Sequence, residues 1–214
     1  MVFSLIHDGL SEKNTIRDSL RDKGSSAIRG PFKDDRDIRN FFGKVVKKGK
    51  HDTIGLFYHN NPLTHQIPFV PKENMYNISG LFLSFVKHAK SVGIKKIDLV
   101  TCEFRDPAVH HEIHRVSVNY GITIRYSIDE TSTSNNWILE SDGTDAEKVY
   151  FKTHIDPSIS LGMDWGGNMI LGSDNRLYSP ILNATHSLYY NSAGHDVCSN
   201  SNIEKFEYTD YGYG

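Results

Sequence analysis

Cysteine is scarce. Only Cys102 and Cys198 occur in 214 residues, too few for a disulfide framework, and Cys102 closes an apolar run that reads as a core strand. A reduced compartment, or simply no disulfide, is the expectation. Net charge is equally slight: a formal balance of -2 gives no global electrostatic reason to bind nucleic acid or an anionic membrane surface. The cluster Lys44, Lys47, Lys48 and Lys50 reads as the wet face and C-terminal end of a helix. No apolar run approaches the length of a membrane span. The opening Met1-Val-Phe-Ser-Leu-Ile-His-Asp8 lacks the basic leader and apolar length of a signal peptide. The expectation is a chain that starts at Met1 and resides in the cytoplasm or an intracellular inclusion, with no membrane and no nucleic-acid partner. Asn77-Ile-Ser and Asn183-Ala-Thr match the glycosylation pattern but carry little weight without a secretory signal. There is no glycine-rich phosphate cradle and no Gly-x-Ser-x-Gly elbow. Position 108, six residues after Cys102, is alanine where a phosphatase loop needs arginine. No cofactor is implied, and no internal repeat is present.

The length suits one well-buried core with an appendage. Val2 to His7 reads as a strand, followed by a helical stretch carrying Ile16 and Leu20, and Gly24 to Gly30 holds a short second strand. Ile38, Phe41, Phe42, Val45 and Val46 recur at helical spacing, with Lys and Arg on the other face and Gly49 as the stop. Asp52 to His59 is the next strand. A loop punctuated by Pro62, Pro68 and Pro71 then leads to the widest helical stripe in the chain, Ile78, Leu81, Phe82, Phe85, Val86 and Ala89, ending at Gly93. Lys95 to Cys102 is a strand. Pro107 opens a helix with Val109, Ile113, Val116 and Tyr120 on its core face, and Ile122 to Tyr126 is a strand. This alternation predicts an α/β fold, a mostly parallel sheet flanked by helices on both faces. Trp137 to Glu140, the turn at Ser141-Asp-Gly143 and Val149 to Lys152 read as a β-hairpin or a pair of edge strands. The expected division is an α/β domain over residues 1–156 and a β-rich extension over 157–214. That extension is rich in Gly, Asn, Ser and Tyr, and its composition predicts that Tyr208, Tyr211 and Tyr213 pack on the domain or on a neighbouring copy of the chain.

The carboxyl ends of parallel strands are where open α/β sheets hold their chemistry. One strand ends on His59 and the next on Cys102, with a single crossover helix between them, so both side chains are expected at one rim as a general base and a thiol nucleophile. Taken singly, each residue reads more simply: Cys102 as a buried small hydrophobe, and His59 as a strand-end histidine capping a loop. His110-His111-Glu112-Ile113-His114 places two imidazoles on one helix face, but its glutamate is misplaced for a zinc motif and no third ligand follows, so no metal is expected.

The order of His strand, crossover helix and Cys strand resembles the caspase and gingipain fold. More specifically, Ile54-Gly-Leu-Phe-Tyr-His59, Ile97-Asp-Leu-Val-Thr-Cys102, Gly121-Ile-Thr-Ile-Arg-Tyr-Ser-Ile-Asp-Glu-Thr131 and Asn136-Trp-Ile-Leu-Glu-Ser-Asp-Gly143 are similar to an uncharacterised bacterial caspase-like domain family of large secreted, repeat-bearing proteins. The likeness spans about two thirds of the chain. It implies Cys102 as nucleophile, His59 as base, and the main-chain amides of Asn60 and Cys102 as oxyanion donors for a peptide substrate. The chain departs from that pattern after the base, where the family's glycine is replaced by Asn60-Asn61, and Glu103 follows the thiol, where a carboxylate opposes thiolate formation. Two readings stay open. One is a cysteine endopeptidase or autoprocessing domain. The other is a pseudoenzyme on the same fold, a non-catalytic, self-assembling homo-oligomer that forms a lattice. The two departures predict slow or absent turnover, with Cys102 alkylated by iodoacetamide no faster than a model thiol.

Overall fold

The computed structural model describes residues 1–60, 64–101, 104–128 and 137–153, together with short strands at 170–171 and 177–178. Five strands, β1 (Val2–His7), β2 (Ser26–Arg29), β3 (Thr53–Phe57), β4 (Lys96–Val100) and β5 (Thr123–Tyr126), form one sheet in the order β2-β1-β3-β4-β5. Every pairing in it is parallel. The helices between them are α1 (Lys13–Ser19), α2 (Asp35–Asn40, continued by a π-helical turn over Phe41–Val46), α3 (Gly80–Ser91) and α4 (Pro107–Tyr120). The α/β architecture expected from the alternation is therefore present, including the short strand between Gly24 and Gly30.

The pleat sorts the apolar residues onto two faces. Phe3, Leu5, Ile54, Leu56, Ile97, Leu99 and Ile124 join the larger core under α2, α3 and α4, where Phe41, Phe42, Phe82, Phe85, Val109 and Val116 are buried. Ile6, Phe57 and Val100 face a smaller core closed by Ile16 of α1 and by Trp137, Tyr150 and Phe151. In α4 the signals act as read: Pro107 opens the first turn, the Asp106 side chain accepts from the Ala108 amide, and Gly121 ends the helix in the left-handed conformation at φ 56.

Two local readings are corrected. Val45 does not share the buried stripe of its helix but is 45% exposed, while Val46 is fully buried. The cause is the π turn, in which Lys47 N–H donates to the Phe42 carbonyl five residues back at 3.0 Å; the wider turn takes in one extra residue and swings Val46 into the inward position. The second correction concerns the hairpin. Its strands are β6 (Ile138–Leu139) and β7 (Thr144–Asp145), and Val149 belongs to a helix, α5 (Ala146–Tyr150), rather than to a strand. Asp145 decides this, because its carboxylate caps the Lys148 amide and starts a helix immediately after the turn.

Beneath α5 sits a buried ionic network. Asp98 on β4 and Arg125 on β5 are register partners, and the guanidinium donates from Nε and Nη2 to the two carboxylate oxygens at 2.6 Å each. Tyr150 Oη–H donates to the same carboxylate at 2.6 Å, and Arg125 Nη1 reaches Thr144 Oγ1 at 2.7 Å. Burial alone would lower the basicity of Arg125, but the hydrogen bonds and charge of Asp98 more than reverse that; burial and the same charge push the Tyr150 phenol well up. The network pins the hairpin and α5 to the sheet.

By compactness the chain falls into two units, Met1–Met163 and Asp164–Gly214. In the second, β8 (Ile170–Leu171) and β9 (Leu177–Tyr178) pair antiparallel. The tyrosines at 208, 211 and 213, on which tail packing was predicted, lie outside the described residues. Among the described residues no helix is long and apolar enough to cross a membrane.

Candidate functional site

In this strand order the chain leaves β1 toward β2 on one side and returns to place β3 on the other, so the topological switch point lies between β1 and β3. At such a point the loops diverge and leave a crevice beyond the carboxyl ends of the strands. His7 closes β1 and His59 stands two residues beyond β3. Both side chains are mostly covered, at 17% and 18% exposure.

Glu12, just before α1, lies beside His59, with Oε2 4.0 Å from His59 Nε2. His59 Nδ1 is buried and has no hydrogen-bond partner among the described residues. An imidazole with a carboxylate near one nitrogen and a second nitrogen without a partner among the described residues has the makings of a general base. His7 completes the rim. Its Nδ1 accepts from the Gly9 amide at 3.2 Å, leaving Nε2 as the protonated nitrogen, 3.7 Å from Asp8 Oδ1. Burial lowers the His7 pKa, Asp8 opposes this, and the neighbouring His59 lowers it further.

Asn60 follows His59 in the segment beyond β3. Its side chain is buried and its Nδ2 is 3.1 Å from Nδ1 of His65, which is buried in turn. The His65 ring packs against Phe104 and Tyr76, with centroids 5.5 and 5.2 Å away. Burial lowers its pKa, against the pull of the Asp106 charge and with a contribution from His110.

Of the residues singled out by sequence, His59 and Asn60 are therefore at the carboxyl edge. Cys102 lies outside the described residues. Its strand does not: β4 is the immediate parallel neighbour of β3, with Phe57 opposite Val100. The sequence reading missed His7, Glu12 and His65. The signal for His7 was present, since β1 ends on a histidine just as the His59 strand does. Nothing in sequence pattern points to Glu12 or His65, which arrive from loops. His110 is held at Nε2 by the Phe104 carbonyl and lies against Tyr126, and among the described residues no group of three or more His, Cys, Asp or Glu is placed to hold a metal ion. In comparisons with protein-family models, curated proteins and solved structures, the chain matches none.

Proposed function

We propose that this protein is a cysteine peptidase, or an autoprocessing relative of one, with a caspase-like arrangement in which His59 is the general base, Cys102 the nucleophile and Glu12 the carboxylate that orients the base. The observation that carries this reading is the pairing of β3 with β4: Phe57 and Val100 are register partners, and His59 and Cys102 each stand two residues beyond them in sequence. Equal offsets from paired residues are what a base and a nucleophile delivered by neighbouring strands to one edge require. In the reaction, the thiol proton passes to His59 as sulfur attacks the scissile carbonyl. The resulting imidazolium, steadied by Glu12, then returns the proton to the leaving amine. The Asn60 and Cys102 amides are the proposed donors to the oxyanion.

The test is the rate at which iodoacetamide alkylates Cys102, followed by peptide mass mapping at pH 7 in the wild type and in His59→Ala. An active pair gives alkylation about tenfold faster than a model thiol, lost in His59→Ala, and Cys102-dependent cleavage of a peptide library. Rates equal to a model thiol in both proteins overturn the peptidase reading. They would leave the non-catalytic, self-assembling module implied by Asn60 and Glu103, which light scattering of the purified chain would reveal as a concentration-dependent oligomer.

A further inference from the structure

We propose that the amino-terminal edge of the sheet, the end away from His59, is a docking face for an anionic lipid surface, built from Lys47, Lys48, Lys95 and Lys96 with Val45 and Val118 as its apolar points. The inference is independent of the peptidase reading above.

The small net charge of the chain conceals this face, because acids and bases are segregated along the sequence. No carboxylate occurs between Asp37 and Asp52 or between Glu73 and Asp98, and those two stretches hold eight lysines. The fold brings them side by side. Val2, Thr53, Lys96 and Thr123 stand in one row of register across β1, β3, β4 and β5, so the segments leading into these strands share one edge. Gly49 N–H donates to the Val92 carbonyl at 2.8 Å and Lys95 N–H to the Asp52 carbonyl at 2.7 Å, which lays the Lys47–Lys50 turn along the approach to β4.

Helix ends account for part of this charge. Lys90 Nζ donates to the carbonyl of Tyr120 at the end of α4, and Lys87 Nζ lies 5.8 Å from the Tyr120 ring centroid; a cation there offsets the helix dipole. Lys95 and Lys96 have no such duty, since they open a strand, and Lys47 and Lys48 follow the last turn of their helix. All four are exposed, and none of their ammonium groups is paired with a described residue. The carboxylates nearby are otherwise engaged. Asp52 lies 3.4 Å from the Met1 amino group, and Asp22, which feels the charge of Lys50, accepts from Ser25 Oγ at 2.6 Å. Uncompensated cations on one edge raise a local positive potential that draws a polyanion.

The apolar side chains choose among polyanions. The π turn leaves Val45 45% exposed between Lys44 and Lys47, and Val118, in the last turn of α4, is 64% exposed. Segments 44–50 and 87–96 contain no Arg, Phe, Tyr or Trp, the residues that read bases or stack on them. Lysines around projecting aliphatic side chains suit a bilayer interface, where the ammonium groups meet headgroup phosphates and the valines meet the acyl boundary.

The test is cosedimentation of the purified full chain with vesicles of phosphatidylcholine alone and of phosphatidylcholine with about one third phosphatidylglycerol. Binding is expected to the anionic vesicles only and to weaken steeply as salt is raised. Replacing Lys47, Lys48, Lys95 and Lys96 together by Gln should weaken it about a hundredfold. Removing the same charge at Lys33, Lys72, Lys148 and Lys152, which are also exposed, should change it less than about threefold. Val45→Asn with Val118→Asn should weaken it about threefold or more. No binding to anionic vesicles, or an equal loss in both lysine variants, refutes the docking face. Tighter binding to a single-stranded oligonucleotide of equal total charge, or vesicle binding untouched by the valine changes, assigns the edge to a soluble polyanion and overturns the lipid.

Discussion

The ring of Tyr150 occupies the space a side chain at position 55 would fill: a Cβ built on Gly55 would lie 2.6 Å from Cζ of Tyr150. Glycine weakens a strand interior by itself, yet here it lets the Tyr150 ring pass over β3 and bring the phenol to Asp98. Gly55→Ala is expected to cost about 1–3 kcal/mol in urea unfolding through overpacking. Combining it with Tyr150→Ala should give much less than the sum of the two single losses. Strict additivity would show that the ring and the strand do not compete for this space.

The Asp98–Arg125 pair behaves differently when broken than when removed. Arg125→Met leaves a carboxylate at 0% exposure with Tyr150 alone, among the described residues, for support, and the expected loss is about 3–5 kcal/mol. Replacing both partners by apolar residues, Asp98→Leu with Arg125→Met, should recover a large part of it, since no uncompensated charge then remains buried. Chemical denaturation of the three variants checks this, and a double variant less stable than Arg125→Met would contradict it.

The stripe on α3 faces the sheet as its width in sequence implied, with Phe82, Phe85, Val86 and Ala89 buried. Phe82 stacks on Phe85 with centroids 6.0 Å apart and planes 6° from parallel. Phe82→Ala should cost about 3–5 kcal/mol. A loss below about 1 kcal/mol would mean that the neighbouring rings collapse into the space.

Stability should fall as the solution is acidified from pH 7. His7, His51 and His65 all have folded pKa values lowered from 6.5 by burial, and His51 is pushed further by the positive charges of Lys50 and the N-terminus. Between 6.5 and those lower values the unfolded chain binds protons that the folded chain does not. The stabilisation is therefore full above 6.5 and is lost as pH falls below it, at up to about 1.4 kcal/mol per pH unit for each histidine. Further loss is expected near pH 4 and below, where carboxylates such as Asp35, held at about 2 by Ser84 and His88, begin to protonate in the unfolded chain. Urea midpoints at pH 7 and pH 5.5 measure the histidine component. Equal midpoints would show that these side chains are accessible to protons in the native state.

Much of the scaffold could be read from spacing alone, because its inner strands β1, β3 and β4 are buried on both faces and its helices carry wide stripes between clear stops. The Asp98–Arg125 pair was legible in principle, as each is a charge flanked by apolar residues within its strand, but neither announces its partner until the strands are in register. Thr144 and Asp145 gave no strand signal; two residues are too few for a period, and the cap at Asp145 drew Val149 and Tyr150 into a helix instead of a strand, leaving Phe151 extended. The rim was half legible. His59 stood out because a strand delivers it, whereas Glu12 and His65 reach the edge from loops whose course depends on tertiary packing.

The π turn at Phe41–Val46 amounts to one surplus residue in a helix whose two ends are both fixed, one by the Asp34 cap and the other by the return into β3. Val45 is that surplus. Removing it would let an ordinary α-helical ladder run through the segment with Val46 still turned inward, so this stretch can shorten by one residue without exposing its core. Inserting a residue has no such outlet: the turn is already wide, and a second addition would rotate Phe41 and Phe42 away from Phe32 and Phe85, the rings they now meet edge to face. The fold thus tolerates length change here in one direction only.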